Sequence, residues 1–217
     1  MTISEKGFEV TKQEKRGTIS QGGIEIHHKG MSLSGEMAGV GFVYLVIDCS
    51  GSMEGSKIGQ AKNGALKFAK EAKTKGYAVG LIQFHSRATH LCEPTRDITL
   101  LKRRLETIEI GDATYMAEAI ELVRKKLEGR EGALAMLVAT DGMPNGPGDP
   151  EASLEAGKRA KRKRIDIITI GTDDADQGFL QELASRTELG VKVARAQFEQ
   201  AITSAARKLP MLPRRRD

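Results

Sequence analysis

FVYLVIDCSGS, residues 42–52, sets the architecture of this chain. Phe42 to Ile47 is an unbroken run of large apolar and β-branched residues. Such a run reads as a strand buried on both faces, as in the middle of a parallel sheet covered by helices. It ends in a carboxylate, Asp48, followed at alternate positions by the hydroxyls of Ser50 and Ser52 with Gly51 between them. A buried strand that carries an acid and two hydroxyls to its C-terminal tip delivers oxygen ligands to the edge where open α/β sheets bind theirs.

Outward from this stretch, strands and helices alternate. Residues 56–75 read as a helix, with Ile58, Ala61, Ala65, Leu66, Phe68, Ala69 and Ala72 at helical spacing and Lys62, Lys67, Lys70 and Lys73 opposite. Ser56 is its expected N-cap and Gly76 its stop. YAVGLIQF, residues 77–84, is a second strand, and residues 88–91 read as a short edge strand pairing back on it. Asp97 is placed to cap a helix over 98–108. The turn Gly111-Asp112-Ala113-Thr114 opens a helix over 115–127. Further strands are expected at 134–139, 165–170 and 191–194, and helices at 150–162, 179–185 and 197–208. Pro150 suits a first helical turn. The alternation predicts parallel pairing and a doubly wound, mostly parallel α/β sheet flanked by helices, over residues 41–209.

At 217 residues, 39% apolar and 29% charged, the chain suits one domain with a moderate core. Aromatics make up 4% and Trp is absent, so the core rests on Leu, Ile, Val, Ala and Met. No stretch approaches a membrane span, and the first residues lack the apolar core of a signal peptide. Two cysteines, Cys49 and Cys92, are no disulfide framework, and the expected compartment is the cytoplasm. Cys49 reads as buried packing rather than a redox group, since nothing near it in sequence is basic enough to make a thiolate.

Residues 1–40 form a polar extension, with 18–20 and 24–26 placed to make a short hairpin. His27 and His28 are adjacent, so in a strand they face opposite sides and read as a surface pair rather than a shared metal site. The net charge of +5 concentrates in residues 158–164 (KRAKRKR) and in the basic tail 210–217 with Arg214–Arg216. Without interleaved aromatics these runs read as a solvated helix face and a tail rather than as nucleic-acid contacts.

Three loops at one sheet edge carry matching groups: Asp48, Ser50 and Ser52 in the first, Thr114 in the second and Asp141 in the third. All are oxygen donors, with no His or Cys among them. Hard-oxygen sets suit Mg2+, Mn2+ or Ca2+ rather than zinc. Each residue alone could simply cap a helix or close a turn. Together, D-x-S-x-S after the first strand, a Thr in the second loop and T-D-G after the core strand over 134–139 resemble a von Willebrand factor A domain with a metal-ion-dependent adhesion site.

The resemblance implies that Ser50 and Ser52 bind a divalent cation, Mg2+ foremost, through their hydroxyls. Thr114, Asp48 and Asp141 would bind it directly or through water, and the open position would accept an Asp or Glu of a protein partner. The family often has Gly-Gly-Thr where this chain has Asp112-Ala113-Thr114, which adds a negative charge at the rim. Small intracellular members often work with AAA+ ATPases of the MoxR or chelatase kind. The family also offers a model in which the closing helix, here 197–208, shifts when the metal changes ligands.

The expected function is therefore metal-dependent protein binding, without enzymatic activity. The competing reading is a metal-dependent phosphatase or phosphoacceptor domain with Asp48 as nucleophile. Against it, no second acid follows Asp48 two residues on, and no general base adjoins the oxygen set. His85 and His90, near the second strand, read as core or surface histidines. A nucleic-acid-binding reading would rest on residues 158–164 alone.

Overall fold

A computed structural model describes residues 40–212. The hairpin expected within residues 1–40, the His27–His28 pair and Arg214–Arg216 lie outside the described residues.

Six strands, β1 (Gly41–Asp48), β2 (Tyr77–Phe84), β3 (Ala88–Thr95), β4 (Leu134–Thr140), β5 (Ile165–Gly171) and β6 (Gly190–Lys192), form one sheet in the order β3-β2-β1-β4-β5-β6. Every pairing is parallel except β2 with β3. The helices are α1 (Ser56–Thr74), α2 (Ile98–Glu106), α3 (Met116–Leu127), α4 (Asp149–Arg162), α5 (Gln177–Leu183) and α6 (Phe198–Ala205). The doubly wound α/β architecture read from the sequence is the one observed. None of the described helices is long and apolar enough to cross a membrane.

β1 is buried along its whole length, and its alternating side chains divide the core. Val43, Leu45 and Ile47 face the layer built by Ala65, Phe68 and Ala72 of α1, Leu101 and Leu105 of α2, and Phe198 and Ile202 of α6. Phe42, Tyr44 and Val46 face Met116, Ile120 and Val123 of α3, Ala156 and Ala160 of α4, and Phe179 and Leu183 of α5. Large residues on both faces are what a central parallel strand requires. Strand order runs outward in both directions from β1, so the crevice beyond the tips of β1 and β4 is the switch point where such sheets bind ligands.

Local differences from the sequence reading have physical causes. The N-cap of α1 is Gly55, at φ 81°, rather than Ser56, because the turn after Ser52 closes through a left-handed residue. The chain reaches α1 through a short 3-10 turn, Gly51–Met53. β3 runs to Thr95, longer than expected, with register shifts opposite Val79–Ile82. α6 is shorter because 3-10 turns at Arg195–Gln197 and Ala206–Lys208 take up both of its ends. Asp97 caps α2 as expected, accepting from the amides of Thr99 and Leu100 at 2.9 and 3.1 Å. Cys49 and Cys92 are free and buried, and burial pushes the Cys49 thiol upward, away from thiolate.

β1 and β2 are fitted by two tyrosine–glycine pairs. Tyr44 lies opposite Gly80 and Tyr77 opposite Gly41. A Cβ at Gly80 would stand 2.4 Å from the Tyr44 ring, and one at Gly41 2.4 Å from the Tyr77 ring. The Tyr44 ring thus crosses β2 and carries its hydroxyl to Glu93 (3.1 Å) and His90 (3.2 Å) on β3. Gly80→Val is expected to destabilise the domain by about 1–3 kcal/mol through overpacking. Denaturant unfolding checks this, and an unchanged midpoint would show that the ring is free to move aside.

Candidate metal centre

Asp48 ends β1 with no exposed surface. Its carboxylate is answered from two directions. The Ser50 amide donates to Oδ1 at 2.8 Å, and the Thr140 hydroxyl at the end of β4 donates to Oδ2 at 2.5 Å. The pairing of Ile47 with Ala139 puts Thr140 beside Asp48. Burial pushes the Asp48 carboxyl up to about 6, aided by nearby Asp141, while the Thr140 and Ser50 hydrogen bonds pull the other way.

The two serine hydroxyls continue from this tip. Ser50 Oγ lies 3.1 Å from Ser52 Oγ, and Ser52 donates to Asp141 Oδ1 at 2.8 Å. Ser52 has one proton and gives it to Asp141, so the Ser50–Ser52 proton is supplied by Ser50. Asp141 directly follows β4 and is 2% exposed. Asp48, Ser50, Ser52 and Asp141 are therefore joined by hydrogen bonds across two adjacent strand tips.

Thr114 reaches the same edge by a different route. The Gly111 amide donates to the Cys49 carbonyl at 2.8 Å, and Ser50 and Gly111 form a parallel bridge, so the second loop is tied to the first. The Thr114 amide donates to Asn145 Oδ1 at 2.9 Å, and the Asn145 amide donates to the Thr114 carbonyl at 3.2 Å. Asn145 belongs to the loop that follows Asp141. α3 has no side-chain cap of its own, and Asp149 supplies one from α4, accepting from the Met116 amide at 2.8 Å. Thr114 is 4% exposed, and among the described residues its side chain makes no hydrogen bond to the other four.

Sequence reasoning missed Lys57, Asp173, Asn145 and Asp149. Lys57, in the first turn of α1, bonds Asp141 Oδ2 and lies 3.1 Å from Asp173 Oδ2. Burial alone would lower the lysine, but the bonds to Asp141 and Asp173 outweigh it and hold the ammonium above its ordinary value. Asp173, at φ 46°, is clasped from outside by Arg195, Nη2 to Oδ2 at 2.6 Å, which draws its carboxyl down. One signal could have exposed Lys57: a cation in the first turn of a helix opposes the helix dipole and needs another reason to stand there.

The two histidines are placed apart. His85 packs its ring over Gly111, where a Cβ would stand 2.3 Å away, and its Nδ1 lies 2.9 Å from Ser86 Oγ. His90 is engaged with Tyr44 and, at 3.6 Å, with Glu93. The basic run on and after α4 is paired in part, while Arg162, Lys163 and Arg164 are exposed. Lys158 pairs with Glu155, Arg159 with Glu121, and Lys161 donates to the carbonyls of Glu182 and Ala184.

Among the described residues, no group of three or more His, Cys, Asp or Glu side chains could hold a metal ion. The candidate set contains only two carboxylates, so a cation here would lean on hydroxyl oxygens. The spacing suits that role. Metal–oxygen bonds of 2.0–2.1 Å at right angles put neighbouring oxygens about 3 Å apart around Mg2+. Ser50–Ser52 at 3.1 Å and Ser52–Asp141 at 2.8 Å match that edge. Ca2+, with longer bonds but more ligands and more flexible geometry, accepts the same spacing.

The von Willebrand factor type A domain model matches residues 43–206. A relative named magnesium-chelatase 67 kDa subunit, from Heliobacterium mobile, is 26% identical over 166 residues, covering 73% of this chain and 25% of that protein. The chain thus spans about a quarter of that relative's length. Among solved structures, the vWF domain of the type V pili tip protein Mfa5 from Porphyromonas gingivalis superposes with TM-score 0.69 at 14% identity, over 79% of this chain and 95% of that one. Proximal thread matrix protein 1 from the mussel byssus, solved with a zinc-occupied MIDAS motif, superposes with TM-score 0.65 at 19% identity, over 78% of this chain and 46% of that one.

The raised Asp48 carboxyl has a consequence for stability. A carboxyl held higher in the folded state than in the unfolded one favours folding when protonated, and that contribution is lost as pH rises through about 6. In chelator-containing buffer, Asp48→Asn is therefore expected to be more stable than the wild type near neutral pH, by on the order of 2–3 kcal/mol. The advantage should vanish near pH 4. Parallel unfolding curves for the two proteins across this range check it, and a gap independent of pH would contradict it.

Proposed function

The chain belongs to the von Willebrand factor type A domain family, and we propose that it is a metal-dependent protein-binding module rather than an enzyme. The observation that carries this reading is the hydrogen-bonded line of oxygens Ser50–Ser52–Asp141, drawn from two strand tips and spaced like neighbouring ligands of one small cation. Ser50, Ser52 and Asp141 would hold the ion, with Asp48 and Thr114 beside them, directly or through water. A bound divalent cation would supply a Lewis-acidic position able to accept a carboxylate from a partner. The hard-oxygen set points to Mg2+ first, with Mn2+ or Ca2+ as the other ions it suits.

The chain's own residues do the positioning. Thr140 and the Ser50 amide orient Asp48, Ser52 orients Asp141, and Asn145 holds the Thr114 backbone. Asp48 is poorly disposed as a nucleophile, because it is buried and both its oxygens already accept hydrogen bonds, which argues against the phosphoacceptor reading. His90 is occupied elsewhere. The resemblance to a chelatase subunit supports a partner of the AAA+ ring type, offering an Asp or Glu to the ion. An intracellular location fits that partner.

Titration of the chelator-stripped protein with Mg2+ or Mn2+ tests the reading. The wild type is expected to take up one ion per chain, and Ser50→Ala or Ser52→Ala to weaken uptake about tenfold or more. Retention of an acidic partner should be lost in EDTA. Equal uptake by wild type and both serine variants would place the ion elsewhere.

A further inference from the structure

Lys57 deserves a role of its own. Its side chain is 12% exposed, and its ammonium reaches from α1 to the ends of two strands, bonding Asp141 after β4 and Asp173 after β5. Asp141 is thereby engaged at both oxygens, by Ser52 at Oδ1 and by Lys57 at Oδ2. Asp173 is already matched from outside by the Arg195 fork, with contacts of 2.6 and 2.9 Å to Oδ2. The charge that Lys57 is left to balance is that of Asp141.

We propose that Lys57 is a specificity-determining residue that sets how strongly a metal held here demands an external carboxylate. The inference rests on the metal-binding reading above and deepens it. Among the charged groups in hydrogen-bond contact, Asp173 and Arg195 cancel, and so do Asp141 and Lys57. Asp48 remains as the single uncompensated negative charge among the site's buried or bonded groups, Asp112 at the rim being exposed to solvent. A divalent cation then leaves the centre at +1, which one monoanionic carboxylate brings to neutrality. Without Lys57 the same centre would be neutral once metal is bound, and an incoming carboxylate would gain much less. Lys57 thus weakens the hold on the ion and strengthens the ion's hold on a partner's Asp or Glu. The same count disfavours a dianionic phosphate as the natural ligand, since it would overshoot neutrality.

The two effects carry opposite signs, which separates this role from a merely structural one. Lys57→Met and the near-isosteric Lys57→Gln are compared with Lys57→Arg and the wild type. Free Mn2+ is followed by its electron paramagnetic resonance signal, and acetate is titrated against the Mn2+-loaded proteins with water-proton relaxation as readout. Lys57→Met and Lys57→Gln are expected to bind Mn2+ about tenfold more tightly and to need about tenfold more acetate to displace metal-bound water. Lys57→Arg should stay close to the wild type in both. If the neutral variants bind Mn2+ as the wild type does, or lose metal and acetate together, Lys57 is only a brace and the proposal is overturned while the metal site stands. If the wild type takes up no Mn2+, the metal-binding reading falls and this one with it.

Discussion

A carboxylate without solvent has to be answered by donors, and in this domain that demand falls on Asp48. It sits at the tip of the central strand, where no water reaches it. One donor comes from its own turn and one from the neighbouring strand. The second is available only because β1 and β4 are paired in the register that sets Ile47 against Ala139. A slip of one residue would replace the Thr140 hydroxyl with the Ala139 methyl group or the Asp141 carboxylate, and every side chain on β4 would change face. The same register places Asp141 within reach of Ser52. Sheet pairing and site geometry are thus one constraint.

The loops beyond the tips are fastened to one another more than to solvent. Gly111 is bonded to Cys49, Thr114 to Asn145, and the first amides of α3 to Asp149. Lys57 ties α1 to the ends of β4 and β5. Tyr115 lies over Gly146, where a Cβ would come within 2.2 Å of the ring. An edge fastened in this way arrives with its oxygens already placed, so a ligand need not bear the cost of ordering them.

Much of this was legible in the sequence, for a physical reason. The β1 run has no polar break, and helical spacing marked α1 and α3, so the layers followed from pattern alone. Asp48, Ser50, Ser52 and Asp141 follow strand ends, where the fold brings side chains together without further help. The supporting residues were harder to see because their partners are distant in the chain. Lys57 looks like any lysine on a polar helix face until β5 is folded beside it. Asp149 stands just before Pro150 at the start of its own helix, yet it caps a different one. Ser56 reads as the cap of α1 by residue type, whereas the turn geometry gives that position to Gly55. The basic run on α4 stays an exposed helix face, as its composition suggests, although Arg159 and Lys161 find partners in Glu121 and in the carbonyls of Glu182 and Ala184.

The outer strands of the described sheet bear on how such a molecule keeps to itself. β3 contains Pro94, which has no amide hydrogen to offer, and its pairing with β2 is interrupted by register shifts that twist it. β6, on the far side, is three residues long. An edge that is kinked and short of donors, or too brief to template a neighbour, resists being extended by a strand from another molecule, and so guards against aggregation. Contact with other chains is thereby steered away from backbone pairing and toward surfaces that carry no strand edge.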